Sequence, residues 1–280
     1  MKRRVITNHL LNSFEKYLIE NEKAGATIEK YMRDMRRFEN YAAESILDKT
    51  VVLSYKSMLE QNYAIRSANS MLAALNAFLR FVGWYDLCVK QFKVQKEAYC
   101  SEEKELSKIE YTALVKAAEL KKNKRLSLVV QTICSTGIRV SDLQNITVEA
   151  VRRGEAVVSC KGKSRKIFIV KALQKKLLHY AMEQGITAGS LFITKNGKPL
   201  NRSNIWRQMK ELCKQAGVSP KKVFPHNLRH LFARTFYGIE KDIAKLADIL
   251  GHSNINTTRI YIITTGAEHQ RRMENMRLII

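Results

Sequence analysis

The sequence predicts a mainly α fold in two domains with one small β-hairpin, an α+β chain. Three observations carry that expectation. Apolar residues recur at intervals of three and four through residues 7–82, with no strand-like alternation. A polar, aperiodic run at 91–105 then separates this part from the rest. Beyond it helical spacing resumes and is broken chiefly by two short β-rich runs around a basic turn. With 280 residues, 45% hydrophobic and 27% charged, the chain can build two cores in an ordinary globular composition.

The first domain is expected over 1–90. Leu10, Leu11, Phe14 and Leu18 mark one amphipathic helix, and Ile28, Tyr31, Met32, Met35, Phe38 and Tyr41 a second. Gly25-Ala26-Thr27 separates them, with Thr27 as N-cap of the second. Val51–Gln61 and Ser67–Val82 supply two more, so four or five helices are predicted. Lys30, Arg33, Arg36 and Arg37 line the polar side of the second helix, either as a solvated face or as a phosphate-contacting one.

After the linker at 91–105, the second domain is expected over 106–280. Ser107 caps a helix through Tyr111, Leu114, Val115 and Ala118. Arg125–Thr136 is apolar enough for a buried helix, ended by Gly137. Ser141-Asp142-Leu143-Gln144 reads as a capping box starting another helix, with Arg139 in the connection. Ala156–Cys160 and Ile167–Val170 read as strands around the tip Lys161-Gly162-Lys163-Ser164-Arg165-Lys166. A bland turn would favour Asn-Gly or Asp-Gly, whereas this basic tip points to phosphate. Ser203 caps a helix closed by Gly217, and Pro225 starts one that puts His226, Arg229 and His230 on one face. Leu250-Gly251-His252 is a turn, and Tyr261 follows on a short helix.

Charge narrows the partner. Lys and Arg number 49 against 26 acidic residues, a net charge of +23. Residues 1–100 carry 16 basic and 11 acidic residues, and residues 101–280 carry 33 and 15. Such an excess attracts polyanions through counterion release, so nucleic acid leads over a membrane surface. Five cysteines without C-x-x-C spacing argue against a disulfide framework or a zinc site, and fit a reducing cytoplasm. His226 and His230 lack the glutamate of H-E-x-x-H and an evident third ligand, so no metal is expected. Neither a signal sequence nor an apolar run of membrane-spanning length is present.

Arg139, Lys161, His226, Arg229, His252 and Tyr261 share one chemical logic. Two arginines clamp the non-bridging oxygens of a phosphodiester and stabilise a pentavalent transition state without a metal. Nearby cations favour the anion of a phenol whose isolated pKa is about 10. A lysine can protonate the departing alkoxide, and histidines can take the phenol proton or hold phosphate. The covalent phosphotyrosine conserves the bond energy, so resealing needs no ATP or other cofactor.

The boxes T-G-I-R-V-S-D-L (136–143), K-G-K (161–163), H-N-L-R-H (226–230) and L-G-H…Y (250–261) together resemble the tyrosine recombinase, or phage integrase, family. The resemblance implies that Arg139 and Arg229 bind phosphate, Tyr261 is the nucleophile, His226 and His252 complete the site and Asp142 supports it. It implies Lys161 as general acid, with Lys163 or Lys166 as substitutes if the hairpin register slips. Asn227 stands where Asp is frequent and Leu231 where a small hydroxyl residue is usual.

By the same resemblance, residues 1–90 form a SAM-like core-binding domain. With the catalytic domain it would make a C-shaped clamp on double-stranded DNA, with Lys30, Arg33, Arg36, Arg37, Lys163, Arg165 and Lys166 as contacts. Residues 266–280 would be a helix exchanged between protomers of a homotetramer on two sites. The implied activity is site-specific recombination through a 3′-phosphotyrosine, integrating or excising a mobile element. Xer-type chromosome-dimer resolution or DNA inversion is the alternative. A type IB topoisomerase-like enzyme and a catalytically silent DNA-binding relative are the other readings. The intact set of six disfavours the silent one.

Overall fold

The computed structural model describes residues 4–43, 46–94, 102–160, 163–194, 196–262, 270 and 273–276. The chain divides into two compact units, Met1–Lys96 and Glu97–Ile280.

The first unit is four helices: α1 (Asn8–Glu20), α2 (Gly25–Ala42), α3 (Lys49–Asn62) and α4 (Ile65–Phe81). Their apolar stripes meet in a core of Phe14, Met35, Phe38, Tyr55, Leu72 and Phe78, with the Phe14 and Phe78 rings edge to face at 5.4 Å. Asn76 closes the unit. Its buried amide donates to the Val89 carbonyl (2.7 Å) and accepts from the Val89 N–H (2.9 Å), satisfying a strand-like segment that has no sheet.

One capping expectation fails here. The second helix starts at Gly25, and the N–H groups of Thr27 and Ile28 bond to the Ala24 carbonyl. Thr27 is therefore inside the first turn, because the backbone turn caps the helix without a side chain.

In the second unit, α5 (Lys108–Leu120) opens with a complete capping box between Ser107 and Glu110. Helix α6 (Lys124–Thr136) is largely buried, Ser127, Thr132 and Thr136 included, and packs against α5, α8 (Lys171–Glu183), α9 (Arg202–Ala216) and α10 (Pro225–Glu240). It ends at Gly137, whose φ is +64°. A Cβ there would lie 2.5 Å from the Phe232 ring, so both conformation and space require glycine.

The sequence expectation of an α-helix at Ser141–Gln144 is corrected. Val140–Asn145 is a 3₁₀ stretch. The Ser141 hydroxyl donates to the Asp142 carboxylate (2.9 Å) instead of capping, and Thr147 caps the following α7 (Val148–Arg153). Asn201, not Ser203, caps α9 by accepting from the Ser203 N–H. Helices α8 and α11 (Ile243–Leu250) are additional to those expected.

The hairpin is β1 (Glu155–Cys160) and β2 (Lys163–Phe168), paired antiparallel with Ala156 opposite Ile167 and Val158 opposite Arg165. Lys163–Lys166 are thus strand residues, not a tip. The ladder is made by backbone groups and tolerates polar side chains, while alternation decides which of them face inward. The short α12 (Ile255–Arg259) follows α11, and Tyr261 lies in the turn just past its end.

Candidate active site

The site is assembled by α10, the glycine turns that end α6 and α11, and the turn after α12. Pro225 opens α10, whose spacing puts His226, Arg229 and His230 on one side, with Arg229 buried, His230 half-buried and His226 exposed. Arg229 is only 1% exposed. It donates to the Gly137 carbonyl at the end of α6, to the Leu250 carbonyl at the end of α11 (2.6 Å), and to Nε2 of His252 (3.0 Å). Both carbonyls carry the negative pole of a helix, which stabilises an interior cation. Burial and the neighbouring Arg139 still pull its pKa down to about 10, so it stays charged near neutrality.

Tyr261 is 6% exposed and rests on a small cluster of Ala233, Leu246 and Leu250. Its hydroxyl lies 3.0 Å from Nε2 of His226. The His230 ring stacks flat on the phenol, with centroids 4.1 Å apart and an interplanar angle of 14°. The guanidinium of Arg229 sits 5.9 Å from the ring centroid. Arg139, half-buried at the entry to the 3₁₀ stretch, reaches the Gly251 carbonyl at 3.4 Å.

Three histidines surround this phenol and all favour the neutral state. Burial, followed by the positive charge of Arg229, Arg139 and Arg202, lowers the His226 pKa. Burial and then His226 and Arg229 bring His230 down to about 4. Burial with Arg229, Arg139 and Arg165 does the same for His252. A neutral His226 with a free Nε2 is positioned to accept the proton of the hydroxyl.

Other expected residues fall elsewhere. Lys161 lies outside the described residues, and for Lys163 only the backbone is described. Arg165 faces inward beside Ile167. It is 11% exposed, donates to the Ile249 carbonyl (2.8 Å) and lies 3.5 Å from Asp142. Lys166 is on the outer face, paired with Glu155 at 3.1 Å.

In the first unit, Lys30, Arg33 and Arg37 join Arg66 around a cleft of about 470 Å³ between α2 and α4. There Lys30 is held by Asp34 (2.5 Å) and the Ser70 carbonyl (3.1 Å). Arg36 is exposed outside the cleft. Among the described residues no group of His, Cys, Asp or Glu could hold a metal ion, and no helix is long and apolar enough to cross a membrane.

Sequence reasoning omitted His230, Thr258 and Arg202 from the site. The i, i+4 spacing of His226 and His230 could have signalled the first, and the three-residue interval from Thr258 to Tyr261 the second. Nothing in the local sequence marks Arg202.

Residues 104–267 match the sequence pattern of the phage integrase family, and residues 11–84 that of its N-terminal SAM-like domain. The chain belongs to the phage integrase family. This is a class of DNA strand-transferring enzymes, the tyrosine recombinases. Tyrosine recombinase XerA of Pyrococcus furiosus is 28% identical over 291 residues, covering 100% of this chain and 98% of the relative. Its namesake from Thermococcus kodakarensis is 30% identical over 97% of this chain and 96% of the relative. Among solved structures, a lambda integrase (75–356) dimer bound to a COC′ core site superposes with a TM-score of 0.76 at 18% identity, covering 94% and 97% of the two chains. That likeness is one of fold. This integrase-family chain is mainly helical with a small two-stranded sheet among the described residues, and its solved structural neighbours have a two-domain architecture.

Proposed function

We propose that this tyrosine recombinase cuts and rejoins duplex DNA by attack of the Tyr261 oxygen on a backbone phosphorus. The Tyr261 proton passes to Nε2 of His226, the new O–P bond forms a 3′-phosphotyrosine, and the bond to the 5′-oxygen breaks. Lys161 gives the departing 5′-oxygen its proton. Arg139 and Arg229 hold the non-bridging oxygens, His252 joins them, and Asp142 steadies the site through Arg165. The observation that carries the reading is the Tyr261 hydroxyl, 3.0 Å from an imidazole kept neutral beside a buried arginine.

The finer assignments belong to the same proposal. The segments 1–90 and 106–280 act as core-binding and catalytic domains joined by 91–105. They close on double-stranded DNA, with Lys30, Arg33, Arg36 and Arg37 facing phosphate. Four protomers work on two sites, with residues 266–280 packing in trans. Residues 266–269, 271–272 and 277–280 of that tail lie outside the described residues. A reducing cytoplasm suits the free Cys88, Cys134 and Cys213. Mobile-element integration or excision is one biological setting. The end-to-end match to relatives named XerA favours the Xer-type alternative.

Nicked suicide duplexes carrying candidate sites test the chemistry. A covalent protein–DNA adduct on denaturing gels is expected from the native chain, and none from Tyr261→Phe, with DNA binding retained. An adduct surviving that substitution overturns the mechanism.

A further inference from the structure

The hydrogen bonds of His252 fix where its proton sits. Its Nε2 is 3.0 Å from a guanidinium nitrogen of Arg229, and a guanidinium can only donate. In the neutral ring Nε2 must therefore be the lone-pair nitrogen, so Nδ1 carries the proton and donates to Oγ1 of Thr258 at 2.9 Å. The doubly protonated ring would set one N–H against another, next to Arg229, Arg139 and Arg165. Thr258 is fully buried on α12. Its carbonyl also accepts the backbone N–H of Tyr261 (2.9 Å), so one residue holds both His252 and the nucleophile.

This arrangement suits a site without phosphate and opposes one that contains it. Phosphoryl oxygens only accept, and an unprotonated Nε2 would face them lone pair to lone pair. To hold a phosphate oxygen, Nε2 must carry the proton and Nδ1 of the neutral ring must accept one. A carboxylate or a carbonyl at position 258 would forbid that, because it can only accept. A hydroxyl serves both states, being donor and acceptor.

We propose that Thr258 is a positioning residue whose hydroxyl reverses its hydrogen bond when phosphate enters, switching His252 from an Nδ1–H acceptor for Arg229 to an Nε2–H donor for phosphate. The ring loses the Nδ1 proton to water and takes one from water at Nε2, with no net change of charge. Arg229 is released from His252 in the same event and directs that N–H to the phosphate as well. The inference rests on reading His252 as a phosphate ligand.

The test is ¹⁵N–¹H correlation spectroscopy of the full chain with ¹⁵N-labelled histidine, which distinguishes the two tautomers. His252 is assigned through His252→Asn. The expected result is the Nδ1–H form in the free protein and the Nε2–H form with dimethyl phosphate in excess, a diester anion whose oxygens only accept. An Nε2 that stays unprotonated with dimethyl phosphate present, or one already protonated without it, overturns the proposal. Single-turnover cleavage of a nicked duplex supplies the second measurement. Thr258→Val should slow cleavage about ten- to a hundredfold, the scale seen when a histidine-orienting partner is lost. DNA affinity should hold, and Thr258→Ser should restore most of the rate. Equal rates for the two variants also overturn it. The spectra require no DNA, so a chain that shows the tautomer change but forms no adduct refutes the recombinase reading and leaves this one standing.

Discussion

Gly251 shows how much one residue without a side chain can decide. Its φ is +63°, and a Cβ there would lie 2.6 Å from Cδ of Arg165. Gly217 ends α9 with φ +64° and open space around it, which makes it a control. Gly217→Ala should cost about 1 kcal/mol for backbone strain alone. Gly251→Ala should cost roughly 2–3 kcal/mol, because overpacking adds to that strain, and should also displace His252. Urea denaturation of the two variants checks this, and equal losses would refute the close contact. Arg139, His226, Arg229, His252 and Tyr261 could be picked out because each offers a particular functional group, and the structure places them together, whereas Lys161 lies outside the described residues. Thr258 and His230 were passed over although their spacing to Tyr261 and His226 marked the positions, because their roles rest on contacts of 2.9 Å and 4.1 Å made only in the fold.

At the scale of the element, the hairpin gave the largest departure from expectation. Four basic residues between two β-rich runs read as a phosphate-seeking tip, yet β2 begins at Lys163. Period-two alternation then sends Arg165 inward with Ile167, and Lys166 outward to Glu155. Arg165 reaches the α11 carbonyl of Ile249 and approaches Asp142, so it fastens the hairpin to the turn that presents His252. Arg165→Ala should lower the melting temperature and slow adduct formation, while the slope of log affinity for duplex DNA against log salt stays unchanged. A phosphate contact would instead reduce that slope by about 0.9. The helix start at Ser107 was read well, because a complete capping box marks it; it was misread at Ala24, where backbone alone caps, and at Thr147 and Asn201, whose side chains cap in place of Ser141 and Ser203.

Over the whole molecule, two cores and a lopsided charge were visible in composition alone. Residues 1–96 carry 16 basic and 10 acidic residues, and residues 97–280 carry 33 and 16. The titration of the buried histidines was not visible, since it depends on packing. His230 and His252 drop from 6.5 to about 4 on folding. Between those values the unfolded chain binds more protons, so the stability from these groups is complete above pH about 6.5 and drains away as pH falls toward 4. Melting temperature should decline across that window, and less steeply in His230→Phe, where an aromatic ring still stacks on Tyr261. An unaltered slope would mean that His230 does not titrate there.

The dipolar support of Arg229 decides what the site offers an approaching anion. Among the described residues it donates to two peptide carbonyls and an imidazole, and none bears a formal negative charge. A carboxylate would have cancelled the guanidinium and would have had to be displaced before phosphate could bind. Peptide dipoles neither cancel it nor titrate. Arg229 therefore keeps its positive charge available to an incoming phosphate, as a standing electric field that no carboxylate among the described residues pairs with.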